Sequence, residues 1–326
     1  MRRREFVALL GSAIVLRPRA IAAQAATMPV IGVLASNSAV DFEPFVPAFR
    51  MGFEQLGFDQ GHTVRIEYRW ADGHYERLPG LAAELVRIPV AVLVATGVTA
   101  ALAAKKATTR IPVVFHTGGD PVRFGLVASL AKPGGNVTGV VSLNKVLVPK
   151  QLELLHELVP RADVIAFLVN PDNGVVKLDT NNMRSTAQAM ELQLQILEAR
   201  TPTEIDTAFA SLVQRRAGAL IVQVDPFLEG RYEQIAGLAA RHAIPAMSAY
   251  PEFAAAGGLI SYGTSRADAY GLVGSYAGRI LKGTRPADLP VQQSVKVELV
   301  INLKSAKALG LTISPSLLAR ADQVIE

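Results

Sequence analysis

Short runs of apolar residues alternate along most of the chain with longer stretches in which apolar residues recur every three or four positions. The short runs have the length of strands buried on both faces of a sheet, and the longer stretches have the spacing of amphipathic helices. The pattern predicts strands at about 30–34, 64–68, 90–95, 112–116, 137–142, 164–169, 193–198, 219–224, 245–249 and 259–262. It predicts helices at about 45–56, 75–87, 99–107, 122–130, 150–158, 181–192, 203–215, 232–242 and 266–281.

Strand–helix units repeated at this length form parallel sheets with right-handed crossovers. The predicted strands are more than one such sheet usually holds, and the pattern starts again after Ser142. The predicted fold class is therefore α/β, with two doubly wound parallel-sheet lobes.

The segment after the last long predicted helix indicates how the two lobes are connected. The turn-rich segment 283–286 and the extended segment 291–297 allow the chain to return to the first lobe and cross again. Several crossovers at one junction form a hinge. The predicted lobes are 28–142 with about 258–286, and 143–257 with about 287–326.

The amino terminus has the pattern of an export signal. Arginines at 2–4 precede an apolar stretch at 7–16 that is too short to span a bilayer, and Ala23 and Ala25 are small residues at the spacing of a cleavage site. The residues at 3–7 also resemble the twin-arginine export pattern. We predict a signal peptide over 1–25 and a periplasmic location, with the twin-arginine pathway as one candidate route of export; the alternative is a cytosolic chain with a basic leader.

The net charge argues against a nucleic-acid partner. The chain carries a formal charge of +5, but residues 1–25 contain five arginines and one glutamate, so the remainder is close to neutral. A near-neutral body without a basic run is not the electrostatic footprint of a nucleic-acid-binding protein. The chain also has no cysteine, which excludes disulfides and thiolate chemistry.

Polar residues follow several predicted strands, at the sheet edge where ligands bind in open α/β folds. Gly97 leaves the backbone open beside Thr96 and Thr99, at the start of a predicted helix. Together these residues offer hydroxyls, amides, carboxylates and a phenol, which suit recognition of a small polar ligand. The candidate ligand-binding residues are Ser36, Asn37, Thr96, Gly97, Thr99, Thr117, Asp120, Asn170, Asp225 and Tyr250.

Some candidates have a structural alternative. Ser36 and Asn37 also fit a helix-capping role. Asp120 and Asp225 each precede a proline, which is the pattern of a helix N-cap. His116 follows apolar residues and is more simply interpreted as a packed neutral ring.

Motifs of catalysis are missing from the sequence. It has no phosphate-binding Walker loop, no Gly-x-Gly-x-x-Gly after a strand and no Gly-x-Ser-x-Gly turn. The five histidines are scattered, without metal-ligand spacing. We therefore predict no catalytic residues, no cofactor and no metal, and we do not expect an enzyme.

Several stretches, in order along nearly the whole chain, match those of a known family. They are the leader at 2–6 and the stretches 66–71, 94–97, 119–122, 132–139, 154–160, 168–171 and 254–263. On these stretches the chain resembles the substrate-binding proteins of bacterial ABC transporters, which have the type-I periplasmic-binding-protein fold. More narrowly, it resembles the group that includes tryptophan-binding and other aromatic-amino-acid-binding members.

The resemblance implies a two-lobed receptor that closes on its ligand and presents the closed form to a membrane permease. In the amino-acid-binding members, hydroxyls and amides hold the ligand carboxylate, and a carboxylate of the second lobe holds the ammonium. By position, Thr96, Gly97 and Thr99 match the first of these turns, Asp120 the next, and Asp225 the second-lobe carboxylate. The family's Thr-Asp-Asn type of turn is replaced here by Val-Asp-Pro-Phe at 224–227.

We therefore expect a monomeric, exported receptor that captures an amino acid or a small aromatic or organic acid and delivers it to an ABC transporter permease. Two alternatives stay open. One is a ligand-sensing domain for a membrane signalling partner. The other is an exported enzyme on the same scaffold, which would need a nucleophile–base pair or a metal cluster that the sequence does not display.

Overall fold

The structure is a computed structural model that describes residues 28–144 and 146–326. The predicted signal peptide over 1–25 lies outside the described residues. Within the described ranges, no helix is long and apolar enough to cross a membrane.

The described residues form two sheets with helices on both faces. The strands are β1 (Val30–Ala35), β2 (Arg65–Trp70), β3 (Val90–Thr96), β4 (Val113–Thr117), β5 (Val137–Ser142), β6 (Val164–Val169), β7 (Gln193–Glu198), β8 (Ala219–Val222), β9 (Ala246–Ser248), β10 (Ile260–Thr264), β11 (Gln292–Ser294), β12 (Val297–Asn302) and β13 (Gln323–Ile325). The helices are α1 (Ala39–Phe42), α2 (Val46–Glu54), α3 (Leu78–Arg87), α4 (Val98–Ala107), α5 (Val148–Leu158), α6 (Val176–Ala189), α7 (Pro202–Gln214), α8 (Pro226–Glu229), α9 (Tyr232–Arg241), α10 (Pro251–Ala255), α11 (Arg266–Leu281), α12 (Leu303–Ala308) and α13 (Pro315–Leu318). Short 3-10 helices cover Glu43–Phe45, Tyr75–Arg77 and Pro286–Asp288.

The first sheet has the strand order β11-β5-β4-β3-β1-β2, and all of its strand pairs are parallel. The second sheet has the order β13-β12-β10-β9-β8-β6-β7 and is parallel except for the β10–β12 pair. Each sheet has apolar clusters on both faces, which is what a doubly wound sheet requires. The predicted fold class, two doubly wound lobes, is confirmed.

The sheets divide the carboxyl-terminal part of the chain differently from the predicted boundaries. We assigned about 258–286 to the first lobe, but β10 pairs with β9 and belongs to the second sheet. We assigned about 287–326 to the second lobe, but β11 pairs with β5 at the edge of the first sheet. Pairing partners decide the sheet to which a short strand belongs, and the partner of β11 lies far away in the sequence.

The chain consequently crosses between the sheets after β5, after β10 and after β11. The crossings hydrogen-bond to one another: Leu143 N–H donates to Thr264 Oγ1 at 3.1 Å, and Thr264 N–H donates to Asn144 Oδ1 at 2.7 Å. The third crossing joins them through Ser265 N–H and the carbonyl of Lys296, at 2.8 Å.

Two predicted elements differ from the structure. The segment 122–130 was predicted as a helix, but it consists of turns, because Gly125 adopts a positive φ of 66° that a helix cannot continue through. The single extended segment at 291–297 is in fact the end of the first sheet and the start of β12 in the second.

Candidate functional site

A cleft lies between the two sheets, and both sheets contribute to its walls. It encloses about 1030 Å³ of empty space, including its opening to solvent. Six of the candidate residues line it: Ser36, Asn37, Gly97, Thr99, Thr117 and Tyr250. Five of the six lie at the carboxyl ends of β1, β3 and β4, so this edge of the first sheet forms one wall of the cleft.

The amino terminus of α4 forms part of the first-lobe wall. Gly97 has φ 95° and ψ 155°, a conformation that favours glycine, and it lines the cleft together with Val98 and Thr99. No side chain of the described residues caps this helix end, so its first N–H groups and its positive dipole end remain for a ligand. A Cβ at Gly97 would lie 3.1 Å from Ser36 Oγ, which itself donates to the carbonyl of Thr96 at 3.0 Å.

Two candidates of the first lobe do not line the cleft. Thr96 is still within β3, paired with Ala35 and His116 of the neighbouring strands, and its side chain is buried in the sheet. Asp120 is exposed, and its Oδ1 accepts hydrogen bonds from the backbone of Val122 and Arg123. Asp120 therefore accepts the backbone N–H groups of the turn that follows it, although no helix begins there.

The two candidates at the end of β6 and β8 contact each other. Asn170 Nδ2 donates to Asp225 Oδ1 at 3.2 Å, and Asn170 Oδ1 accepts from the N–H of Asp172. Both side chains are buried, and neither is among the residues that line the cleft.

Asp225 accepts hydrogen bonds from the protein itself. Its Oδ1 takes the N–H groups of Phe227 and Leu228, each at 3.0 Å, in addition to Asn170. Its Oδ2 takes Asn173 Nδ2 at 2.8 Å and the Tyr75 hydroxyl at 2.5 Å. The carboxylate is fully buried, and its hydrogen bonds come from the protein itself. It does not line the cleft, where the resemblance implied a contact with a ligand ammonium.

Burial and hydrogen bonding oppose each other at this carboxylate. Desolvation raises the pKa of Asp225, and the hydrogen bonds from Tyr75, Leu228 and the two asparagines lower it only in part. Burial, followed by the charge of Asp225, raises the pKa of the Tyr75 hydroxyl well above its ordinary value. Tyr75 is therefore held as the protonated donor.

A charged cluster that the sequence did not single out lies at the base of the cleft. Arg266, the first residue of α11, pairs through Nη1 with Glu229 at 2.6 Å and through Nη2 with Glu252 at 2.9 Å. Its guanidinium carbon lies 4.3 Å from the ring centre of Phe45 and 4.1 Å from that of Tyr250. The sequence contained one indication of this cluster. An arginine in the first turn of a helix is disfavoured by the positive end of the helix dipole, so its presence there indicates a nearby carboxylate.

Glu229 is the buried partner in this cluster. Its side chain is 7% exposed, and its Oε2 also accepts from Asn37 Nδ2 at 3.3 Å. Desolvation, opposed by the charge of Arg266, raises the pKa of Glu229 to about 7. The group therefore titrates close to neutral pH.

His116 lines the cleft as a neutral ring. Its Nε2 lies 2.8 Å from Ser142 Oγ, and its ring centre lies 4.9 Å from that of Tyr270. Burial, aided by the charge of Arg266, lowers the pKa of His116 to about 4. The interpretation of His116 as a packed neutral ring agrees with this environment.

The second lobe contributes an apolar wall with a few polar groups. Its apolar lining residues include Val148, Phe167, Val175, Met183, Ile221 and Val222. The polar lining includes Gln151, Gln223 and Asp179, of which Gln223 Nε2 donates to Asp179 Oδ2 at 2.8 Å. A ligand with an apolar body and a polar end fits a cleft of this composition.

The described residues contain no group of three or more histidine, aspartate or glutamate side chains placed to hold a metal ion. The arrangement in the cleft is one of hydrogen-bond donors, acceptors and apolar surface contributed by two lobes. Such a site recognises a small molecule by contacting it from both sides.

Two parallel-dominated sheets with a ligand cleft between them define the class of type-I periplasmic binding proteins. Residues 33–325 match the sequence model of the ABC transporter substrate binding protein family, and the chain belongs to that family.

Three similar proteins illustrate the relationship. A tyrosine-binding protein of Clostridioides difficile strain R20291 is 27% identical over 263 residues, which are 81% of this chain and 75% of that protein. The crystal structure of an ABC domain from Streptococcus pneumonia in complex with L-Trp matches with a TM-score of 0.84 and 26% identity, over 91% of this chain and 99% of that one. A conserved domain protein from Vibrio cholerae matches with a TM-score of 0.83 and 25% identity, over the same shares of the two chains.

Proposed function

We propose that the protein is the exported receptor of an ABC transporter and that it captures an amino acid with an apolar side chain in the cleft between its lobes. The observation that carries this proposal is the cleft itself, which joins an uncapped helix terminus on one lobe to an apolar wall on the other. Membership of the substrate-binding family supports delivery to a permease, and the relatives that bind tyrosine and L-Trp support an amino acid.

The charges of the cleft favour an amino acid over an organic acid. Arg266 is the one lysine or arginine among the described lining residues, and it is already paired with Glu229 and Glu252. A ligand carboxylate would therefore be held by neutral donors at the start of α4. The carboxylate of Asp179, which also accepts from Gln223 Nε2 at 2.8 Å, would add a contact to an ammonium. Among the described lining residues, the one positive side chain that an organic anion would meet is Arg266, which is already paired with two carboxylates.

The ligand would bridge the lobes. Its polar end would contact Gly97 and Thr99 of the first lobe, and its side chain would contact Phe167 and Met183 of the second. Contacts with both lobes stabilise the closed arrangement relative to an open one, which is the state that a permease would recognise. The protein would act as a monomer, because a single chain supplies both walls.

The test is a matched ligand series with thermal unfolding and calorimetry as readouts. L-Tyrosine, L-phenylalanine and L-tryptophan are compared with 3-(4-hydroxyphenyl)propionate, which lacks the ammonium, and with tyramine, which lacks the carboxylate. An amino acid at a hundredfold excess over its Kd should stabilise the fold by about 2.7 kcal/mol. The deaminated acid should produce no shift.

Asp179→Asn probes the ammonium contact directly. Loss of a charge-assisted hydrogen bond should weaken amino-acid binding by about 10- to 100-fold. The control is Asp120→Asn, the same substitution at an exposed side chain outside the cleft, which should leave affinity unchanged. Equal binding of the deaminated acid, or full affinity in Asp179→Asn, would contradict the amino-acid proposal in favour of an organic acid.

Export is the remaining part of the proposal. It rests on the signal pattern in residues 1–25 and on the family to which the chain belongs. Amino-terminal sequencing of the protein from a periplasmic fraction should find a mature chain that begins near Ala26. A chain retained in the cytosol with its leader intact would argue for the cytosolic alternative.

A further inference from the structure

We propose that Tyr75 and Asn37 of the first lobe latch the cleft shut by hydrogen bonds to Asp225 and Glu229 of the second lobe, so that the protein populates the closed form without a ligand. The inference rests on the proposed hinge motion. It goes beyond the proposed function because none of the bonds that form the latch involves a ligand atom.

The first bond joins positions that are 150 residues apart in the chain. Tyr75 opens the short 3-10 helix that follows β2, and its hydroxyl donates to Asp225 Oδ2 at 2.5 Å. The acceptor is fixed within the second lobe, because Phe227 N–H, Leu228 N–H and Asn173 Nδ2 hold its oxygens. Opening of the cleft would leave the second-lobe bonds intact and break only the one from Tyr75.

The second bond joins Asn37, two residues after the end of β1, to Glu229 at the end of α8. Asn37 Nδ2 donates to Glu229 Oε2 at 3.3 Å, and Arg266 Nη1 donates to the same oxygen at 2.6 Å. Arg266 begins α11, which packs on the first sheet through Ala269 and Val273. A second-lobe carboxylate is therefore bonded to two elements of the first lobe.

The backbones of the two lobes approach closely beside these bonds. A Cβ placed on Gly73, two residues before Tyr75, would lie 3.3 Å from the Cα of Phe227. A Cβ placed on Gly230 would lie 3.2 Å from Asp41 Oδ2 of the first lobe. The latch thus lies within a closely fitted contact between the lobes, in which Asn37 and the acceptor Asp225 are buried and Tyr75 is half-buried.

The hydrogen bond from Tyr75 is strong because its acceptor is charged. A hydrogen bond to a buried charged group is stronger than one between neutral groups, and loss of one should shift the closed-to-open ratio by about tenfold or more. In the open form, water would replace the Tyr75 hydroxyl at Asp225. This replacement limits how far the loss of the Tyr75 bond changes the closed-to-open ratio.

The test measures the distance between the lobes in the ligand-free protein. The chain has no cysteine, so two exposed positions can be labelled cleanly with nitroxides after Lys106→Cys on α4 and Ala210→Cys on α7. Pulsed electron-spin spectroscopy then gives the distance distribution. We expect a substantial closed population in the parent protein, and a closed-to-open ratio about tenfold lower in Tyr75→Phe.

Tyr68→Phe is the matched control. It removes a hydroxyl from a tyrosine of β2 whose ring stacks on Trp70 within the first lobe, and it should leave the distribution unchanged. A ligand-free protein that is entirely open, or a Tyr75→Phe distribution identical to that of the parent, would overturn the latch. Neither result bears on whether an amino acid binds, which the ligand series measures separately.

Discussion

The buried carboxyl of Glu229 makes stability depend on pH in a specific direction. Its pKa is raised from 4.5 to about 7 by desolvation, although Arg266 favours the charged form and Asp225, Glu252 and Asp41 oppose it. The folded protein therefore holds this proton more tightly than the unfolded chain does. The resulting stabilisation is complete below about pH 4.5 and is lost as the pH rises through 7.

Glu229→Gln isolates this contribution, because glutamine resembles the protonated form at every pH. We expect the variant and the parent to melt at similar temperatures near pH 5, and the variant to melt higher at pH 8. Thermal unfolding across that range measures the difference, with the exposed Glu76→Gln as the control that should show no trend. A parent that is more stable than Glu229→Gln at pH 8 would mean that the pair with Arg266 outweighs the cost of burial.

Single residues also show which parts of the candidate site can be predicted from the sequence and which cannot. Ser36, Asn37, Gly97 and Thr99 were found at the cleft because a strand end fixes the backbone position of the residues that follow it. Asp225 also follows a strand, but whether its side chain faces a ligand depends on donors such as Tyr75, which is distant in sequence. Strand periodicity carries no information about such a partner.

At the scale of elements, the contact between α2 and α11 depends on glycine. A Cβ on Gly274 of α11 would lie 2.0 Å from the carbonyl oxygen of Phe49, and one on Gly52 of α2 would lie 2.1 Å from that of Gly271. The backbones of the two helices therefore touch directly. This contact holds α11 against the first sheet and fixes the position of Arg266 at its start.

Gly274→Ala should therefore destabilise the protein by about 1–3 kcal/mol, because the added methyl group meets backbone and not a flexible side chain. Gly237→Ala in α9 is the matched control: nothing lies within 4 Å of a Cβ at that position, and removing a helical glycine should stabilise the fold by about 0.4–1 kcal/mol. Denaturant unfolding measures both. Equal effects of the two substitutions would show that the helix contact relaxes at little cost.

Element prediction succeeded where periodicity was sustained and failed where turn chemistry intervened. Long helices such as α11 and buried strands such as β6 were predicted to within a few residues, because their patterns repeat over several turns or positions. The segment 122–130 has helical spacing, but the left-handed conformation of Gly125 ends it as a series of turns. A glycine in a sequence does not reveal its φ.

For the whole molecule, the sheets divide the end of the chain differently from the predicted lobes, because the short strand β11 returns to the first sheet. The first lobe is thus built from two segments that are separated by most of the second lobe. The later segment supplies α11, whose residues Ala269, Val273 and Ala277 belong to the apolar cluster on one face of the first sheet. The lobe is therefore incomplete without that segment.

A fragment of residues 28–144 should consequently fail to fold, because it leaves this face of the sheet uncovered and β5 without its outer partner. Joining the fragment to 265–295 through a short glycine–serine linker should restore cooperative unfolding. A short linker suffices because the ends are adjacent: Leu143 N–H lies 3.1 Å from Thr264 Oγ1, and Thr264 N–H lies 2.7 Å from Asn144 Oδ1. Circular dichroism during thermal unfolding distinguishes the two chains. A cooperative transition in the fragment alone would show that the first lobe folds without α11. The main role of α11 would then be to position Arg266 beneath the cleft.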